Sequence, residues 1–444
     1  MIDFAPELVT ILMFIGLLVG LTLGHPVAFV LGGVAALMGI LGWGPEGLYL
    51  FMGRSFDSIT NQILIAIPLF VLMAVFLDKS GIAEGLFRSM MYLFGRINGG
   101  VALAVTILSI IFAATTGVIG ASVVSMSLMS IPIMMKRNYD KHLATGVVAA
   151  GGTLGILIPP SIMLVMMADQ SGVSVGKLFA GAFLPGTLLG LMYFLYVLIV
   201  TLIDPKKGPA LSEEERSGVT SGKLVKMLSI SLIPPLVLIV GVLGTIWLGV
   251  ATPTEASGVG AFLALVLMIV YGKFNLETLK SCLWAALRTN AMVMGTIIGA
   301  TLFTGVFLGL GGGDVVTDLV MSFESLGKWG IFFIMMLIIF ILGFLIDWIG
   351  IIYITFPIFL PIAAQVGFDT VWFIMMLAVN LQMSFLTPPF GYALFYLKGT
   401  VPPGIDLKDI YRGIIPFVAI QMAGLIICCA FPQIATYLPS LIKN

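Results

Sequence analysis

The sequence predicts an all-α membrane protein made of two repeats of opposite orientation, with about ten spanning helices and two re-entrant helical hairpins. Three observations predict it. The 444-residue chain is 60% apolar and only 9% charged, with a mean hydropathy of +1.16, more apolar side chain than a water-soluble domain can hide. The apolar residues come in runs of about 17–25, the length of a spanning helix. Diproline interruptions at Pro159-Pro160 and Pro388-Pro389 recur at a separation of 388 − 159 = 229.

Apolar runs between charged or Gly/Pro punctuation predict spans near 7–23, 26–42, 61–79, 143–168 and 178–203, then 227–249, 256–272, 289–310, 370–397 and 413–435. The first run carries Asp3 and Glu7 where a cleaved leader would carry Lys or Arg, so it is expected to stay as a helix. Segments 98–135 and 329–364 are each too long for one span and are interrupted in the middle, by Thr115-Thr116-Gly117-Val118-Ile119-Gly120 and by Asp347-Trp348-Ile349-Gly350. A hairpin that enters partway and leaves by the same side fits both. Amphipathic stretches 82–96 and 275–288 either lie in the interface, bracing a moving part, or serve as helical connectors.

The polar loop from Asp204 to Lys226 carries Lys206, Lys207, Arg216, Lys223 and Lys226, which places it in the cytoplasm. Counting from it, the first hairpin opens to the cytoplasm, the second opens outward and both termini are periplasmic. The chain thus divides into a first repeat over 1–203, a cytoplasmic loop over 204–226 and an inverted second repeat over 227–444. Asn61 and Asn290 stand at the same offset, 290 − 61 = 229, and the tip glycines Gly120 and Gly350 differ by 230. Two inverted halves can exchange conformations and so face opposite sides in turn, which alternating access requires.

Two prolines in succession inside a hydrophobic span unwind it and free backbone carbonyls, tolerable at membrane depth only where they line a cavity or hold a cation. Sodium prefers oxygen ligands. Near the first hairpin these are Thr115, Thr116, Ser122, Thr153 and the carbonyls from Gly155 to Ile158, with Gly117, Gly120, Gly152 and Pro159 shaping the backbone. Near the second they are Asp347, Asn380, Gln382, Ser384 and Thr387, with Trp348, Gly350 and Pro388 around them. Ser122, Thr153, Pro160, Ser161 and Pro389 are the candidates for contact with the solute. An ionisable Asp347 in an apolar segment is costly and so points to function. It can balance a cation's charge, accept a proton or bond backbone amides at the tip; the first is favoured. Helix N-termini at the breaks would receive an anion without any Lys or Arg.

Other classes lack their signatures. Net charge is zero with no basic block, against a nucleic-acid partner. Cys282, Cys428 and Cys429 have no metal-like spacing, and sodium is the only metal expected. The run from Gly309 to Asp314 resembles a nucleotide loop only superficially, because it lacks the Lys-Ser/Thr ending. No nucleophile–base pair lies within the spans, so no enzyme and no organic cofactor is expected. His25 and His142 take no role.

The segments Thr116-Gly-Val-Ile-Gly-Ala-Ser-Val-Val, Gly152-Thr-Leu-Gly-Ile-Leu-Ile-Pro-Pro-Ser, Pro253-Thr-Glu-Ala and Leu386-Thr-Pro-Pro-Phe-Gly resemble the large (DctM-like) membrane subunit of the tripartite ATP-independent periplasmic (TRAP) transporters. The resemblance runs over essentially the whole chain. It implies an elevator-type transporter of the ion-transporter superfamily, in which the hairpins and broken helices slide against a scaffold. It also implies sodium coupling, import of an organic acid, a multi-pass location in the bacterial inner membrane, a small four-helix membrane subunit and a periplasmic substrate-binding protein. Val123-Val124-Ser125 departs from a frequent Ala-Asp of the family, which leaves the first site to carbonyls and hydroxyls. The alternative within transport is a stand-alone carboxylate or ion exchanger of the same superfamily.

Overall fold

In a computed structural model, residues 5–116, 119–217, 219–388 and 391–442 are described, the side chains of 113–116 excepted. Among the described residues the ordered elements are all helices. The first half comprises α1 (Pro6–Thr22), α2 (Val27–Trp43), α3 (Leu48–Thr60), α4 (Ala66–Lys79), α5 (Ile82–Leu93), α6 (Gly100–Thr116), α7 (Ile119–Lys136), α8 (Lys141–Thr153), α9 (Ile162–Ser171) and α10 (Val175–Ile203). A short α11 (Glu213–Ser217) lies in the charged loop. The second half comprises α12 (Ser221–Trp247), α13 (Pro253–Val270), α14 (Leu276–Gly309), α15 (Gly312–Met321), α16 (Gly327–Leu342), α17 (Trp348–Gln365), α18 (Thr370–Ser384), α19 (Tyr392–Lys398), α20 (Leu407–Ala430) and α21 (Gln433–Leu441).

The repeat extends to backbone detail. Asp140 caps α8 by accepting the Leu143 N–H at 2.9 Å, and Asp369, at 369 − 140 = 229, caps α18 by accepting the Trp372 N–H at 2.8 Å. Every described residue with left-handed backbone has a counterpart near the same offset: Gly24 with Gly249, Gly44 with Gly272, Gly81 with Gly311, Gly99 with Gly327, Asn138 with Gly367 and Gly172 with Gly404. Chain reversals recur because each needs a residue that tolerates positive φ, and the second half uses glycine where the first uses Asn138.

Contacts fix the relative orientation. The charged loop touches both ends of the first hairpin: Gly99 N–H donates to the Gly208 carbonyl at 2.6 Å, Asp140 N–H to the Lys207 carbonyl at 2.9 Å, and Arg137 pairs with Glu215 at 2.8 Å. The hairpin of α6 and α7 therefore starts and ends on the loop side. Lys141 and Asp409, 2.8 Å apart, put the start of α20 on that side too. The 24 residues of α20 then rise about 36 Å, to where the Trp372 indole N–H donates to the Cys428 carbonyl at 3.2 Å. Trp329 and Phe332 at the start of α16 stack on Phe368 and Trp372 after α17. The second hairpin thus starts and ends on the far side, and the halves are inverted.

Packing crosses between halves: α2 lies along α14, and α4 along α13. At the centre sit α8 and α18, buried on every face from Leu143 to Thr153 and from Trp372 to Ser384. A helix apolar all round belongs inside a larger assembly of helices. The outer helices present lipid-facing side chains such as Ile11, Val240 and Phe262, all exposed.

Two expectations are corrected. The third span begins at Ala66 rather than near 61, because Asn61 adopts an extended backbone that ends α3. The 275–288 stretch is continuous with the following span in the 34-residue α14, since no proline or left-handed glycine interrupts it. Eight described helices, counting Gly312–Leu342 as one, are long and apolar enough to cross a membrane, nine with the bent α4–α5 pair; the eight include the hairpin arms α7 and α17, while α1 and α2 stop at 17 residues each.

Candidate functional site

The two broken helices end their first arms against each other. In the first half α8 closes at Thr153, one irregular turn follows, and α9 resumes after Pro159-Pro160, where the Ser161 hydroxyl donates to the Ile156 carbonyl at 2.5 Å. In the second, α18 closes at Ser384 and α19 resumes at Tyr392. Gln382 Nε2 donates to the Thr153 Oγ1 at 3.4 Å, and the Gln382 Oε1 is shielded with no hydrogen-bond partner among the described residues. Gln382 and Thr153, expected at separate sites, are in contact.

Most hydroxyls at the breaks donate to carbonyls of their own helix: Thr153 to Ala150 at 2.8 Å, Ser384 to Leu381 at 2.8 Å and Thr387 to Met383 at 2.9 Å. A hydroxyl with its proton so engaged keeps oxygen lone pairs for another partner. Asn380 instead ties α18 to the second hairpin, donating to the Met336 carbonyl at 2.7 Å. The arms of that hairpin approach α18 closely, since a Cβ at Gly343 would lie 2.0 Å from the Ser384 Oγ. On the first side, a Cβ at Gly152 would meet Val123 Cγ2 at 2.3 Å, so α7 carries the buried Ser122 beside the break. Gly155 and Ile158 are buried within the irregular segment, with Pro159 and Pro160. The side chains of Thr115 and Thr116 are not described, and Gly117 and Pro389 lie outside the described residues.

Asp347 occupies the N-cap position of α17 and borders a cavity of about 620 Å³ between the second hairpin and the outer helices α2 and α14. Its other walls include Ala28, Gly32, Ala291, Thr296 and Tyr396, with no Lys or Arg among the described lining residues. Trp348 and Gly350 are buried behind it, and Pro388 is exposed. A smaller cavity of about 220 Å³ beside the first hairpin holds Asp78, Lys79, Ser125 and Thr289, and the Ser125 hydroxyl donates to Asp78 at 3.0 Å. The end of α4 and the first half of α14 line the smaller cavity, and the start of α2 with the middle of α14 the larger one. Gly81, between α4 and α5, packs on Lys273 before α14, and Gly95 after α5 accepts the Leu211 N–H of the charged loop at 2.9 Å, so α4 ends and α14 begins toward the loop.

The sequence did not single out Asp169, on α9. Its Oδ1 accepts from Asn61 Nδ2 at 2.5 Å, and its Oδ2 from Tyr353 at 3.1 Å and Gln170 at 2.7 Å. Its signal was a lone acid in an apolar run after the diproline, of the same kind as Asp347.

The arrangement of inverted halves, paired hairpins and broken helices meets a matching family profile. Residues 14–434 match the profile described as "Tripartite ATP-independent periplasmic transporter, DctM component". The chain belongs to this family. It is 31% identical over 413 residues to the C4-dicarboxylate TRAP transporter large permease protein DctM of Pseudomonas aeruginosa, covering 92% of this chain and 93% of that one. It is 29% identical to the sialic acid TRAP transporter large permease protein SiaM of Vibrio cholerae, covering 94% and 95%. It also matches the isethionate TRAP transporter permease protein DctMQ of Oleidesulfovibrio alaskensis at 31% identity, over 94% of this chain and 64% of that protein. Among solved structures, the YdaH transporter of Alcanivorax borkumensis has the same fold, with a TM-score of 0.64 at 12% identity over 97% of this chain and 99% of that one. This DctM-family chain is thus a multi-pass TRAP transporter permease, and its relatives are transporters rather than enzymes.

Proposed function

We propose that this permease imports an organic acid by sodium-coupled, elevator-type alternating access in the inner membrane of a bacterium. It works with a small four-helix membrane subunit and a periplasmic binding protein that delivers the solute. The observation that carries the reading is the contact of Thr153 with Gln382 across 229 residues, at the repeat offset. It joins two half-broken helices of opposite direction into one central unit, the geometry in which discontinuous helices hold ions and solute near the bilayer midplane.

The moving body is that unit with its two hairpins, and the outer helices are the scaffold. One sodium site lies among Ser122, Thr153 and the carbonyls of Gly155 to Ile158, with the Thr115-Thr116 tip. The other lies among Asp347, Asn380, Gln382, Ser384 and Thr387. Oxygen lone pairs left on Ser384 and Thr387, and the Gln382 Oε1 without a partner among the described residues, support oxygen coordination. With the charged loop in the cytoplasm, the Asp347 cavity opens inward, so the structure corresponds to an inward-facing state. Relatives named for C4-dicarboxylate and sialic acid support an anionic solute.

The test is uptake into proteoliposomes holding both membrane subunits, with binding protein and its ligand outside. Accumulation is expected only with sodium higher outside. Accumulation that persists with equal sodium on both sides would remove the coupling.

A further inference from the structure

On the side away from the charged loop, three parts of the fold converge on Asp169. Asn61 belongs to the break between α3 and α4, Asp169 to the second arm of the first broken helix, and Tyr353 to the second hairpin. The Asn61 side chain is itself held, its Oδ1 accepting the Ile63 N–H at 2.9 Å, so its amide nitrogen is presented to Asp169. A carboxylate accepting three hydrogen bonds ties the outer helices to the central unit on this side, beside the Thr304 hydroxyl of α14, which donates to the Tyr353 carbonyl at 3.0 Å.

The repeat places a counterpart on the loop side. The partner of Asn61 is Asn290, at 290 − 61 = 229, and the partner of Asp169 is Lys398, at 398 − 169 = 229. The chemistry is reversed and complementary. In the first half an amide N–H meets a carboxylate acceptor; in the second an ammonium donor stands opposite an amide oxygen. That oxygen, Asn290 Oδ1, is shielded and has no hydrogen-bond partner among the described residues, while Lys398 donates to the Ile405 carbonyl within its own loop at 2.8 Å. Their chain neighbours border the cavity of about 620 Å³: Ala291, next to Asn290, and Tyr396, two residues before Lys398.

We infer that Asp169 with Asn61 and Tyr353 is a latch that holds the inward-facing state, and that Lys398 with Asn290 is the repeat-related latch that closes when the loop-side cavity shuts. One latch is made and the other open in this state, as exchange between inverted halves requires. Each state is favoured by its own contact, and the two contacts together set the balance without touching the solute. The inference rests on the alternating-access reading above.

The experiment follows labelling of Ala291→Cys, exposed on the cavity wall, by a membrane-impermeant maleimide in inside-out vesicles containing the full chain and its small subunit. The protein without the introduced cysteine gives the background. In the parent, labelling is expected to respond to sodium and binding protein; labelling indifferent to both would end the alternating-access reading itself. With that response present, Asp169→Ala is expected to lower the inward-to-outward ratio about tenfold, the scale of one charge-assisted hydrogen bond, seen as slower labelling. Asn61→Ala should move it the same way. Adding Lys398→Ala to Asp169→Ala should return labelling to within about twofold of the parent, because both states then lack a latch. An Asp169→Ala chain labelled like the parent, or a double variant as slow as the single, would overturn the latch and leave alternating access standing.

Discussion

Gln382 donates to Thr153 at 3.4 Å, and the two residues are 229 positions apart. That is the offset relating Asp140 to Asp369 and Pro159 to Pro388. Residues equivalent under a two-fold relation touch only near its axis, so this contact marks the pivot about which the halves are arranged.

Replacing Gln382 by Leu separates the structural role of this residue from its ionic role. The Gln382 Oε1 is buried without a partner among the described residues, and an unsatisfied buried acceptor costs about 1–3 kcal/mol. Gln382→Leu is therefore expected to leave the melting temperature equal or higher. Sodium activation of uptake should shift to higher concentration by about tenfold, or about 1.4 kcal/mol. A sodium titration of uptake beside a thermal melt in detergent checks both; lower stability with unchanged sodium activation would contradict the assignment.

Asp347 at the head of α17 is the carboxylate bordering the larger cavity. Asp347→Ala is expected to weaken sodium activation by at least about tenfold while the chain still assembles, because a charge that balances a cation is lost. Unchanged sodium activation in the same titration would remove Asp347 from the coupling mechanism.

Close approach at two glycines of α8 gives a graded stability test. A Cβ at Gly152 would meet the Val123 side chain at 2.3 Å, whereas one at Gly146 would meet the Gly413 carbonyl oxygen at 2.2 Å. A side chain can turn away and a backbone carbonyl cannot. Gly152→Ala should cost about 1–3 kcal/mol, with partial recovery on adding Val123→Ala. Gly146→Ala should cost more, with no single side-chain change that restores it. Melting temperatures in detergent read the difference, and equal losses would mean that α8 and α20 are not held as described.

The charged loop makes a milder test. Arg137 and Glu215 pair at 2.8 Å, with side chains 21% and 42% exposed. Glu215→Gln is expected to change stability by less than about 1 kcal/mol, and a large drop in melting temperature would show that the loop carries more of the fold than its exposure indicates.

Much of the fold was legible because the membrane makes hydrophobic length informative. The hairpins expected over 98–135 and 329–364 correspond to α6–α7 and α16–α17. Diproline alone proved an incomplete signal: Pro234-Pro235 lies inside the continuous α12. At residue 159 the chain has already left helical geometry, after Gly151, Gly152 and Gly155 weaken the last turns. The contact of Thr153 with Gln382 could not be read, because it depends on how two distant helices cross. Asp169 was missed for the same reason: its meaning comes from Asn61 and Tyr353, 108 and 184 positions away.

Sodium coupling requires that solute and sodium move together through this subunit. The most direct measurement follows radioactive sodium and labelled solute in the same proteoliposomes, with the small subunit in the membrane and the binding protein outside. Sodium and solute are expected to enter in a fixed ratio, with loss of both fluxes when the binding protein is omitted. Sodium entering equally fast without solute, or solute accumulating against its gradient with sodium equal on both sides, would contradict it.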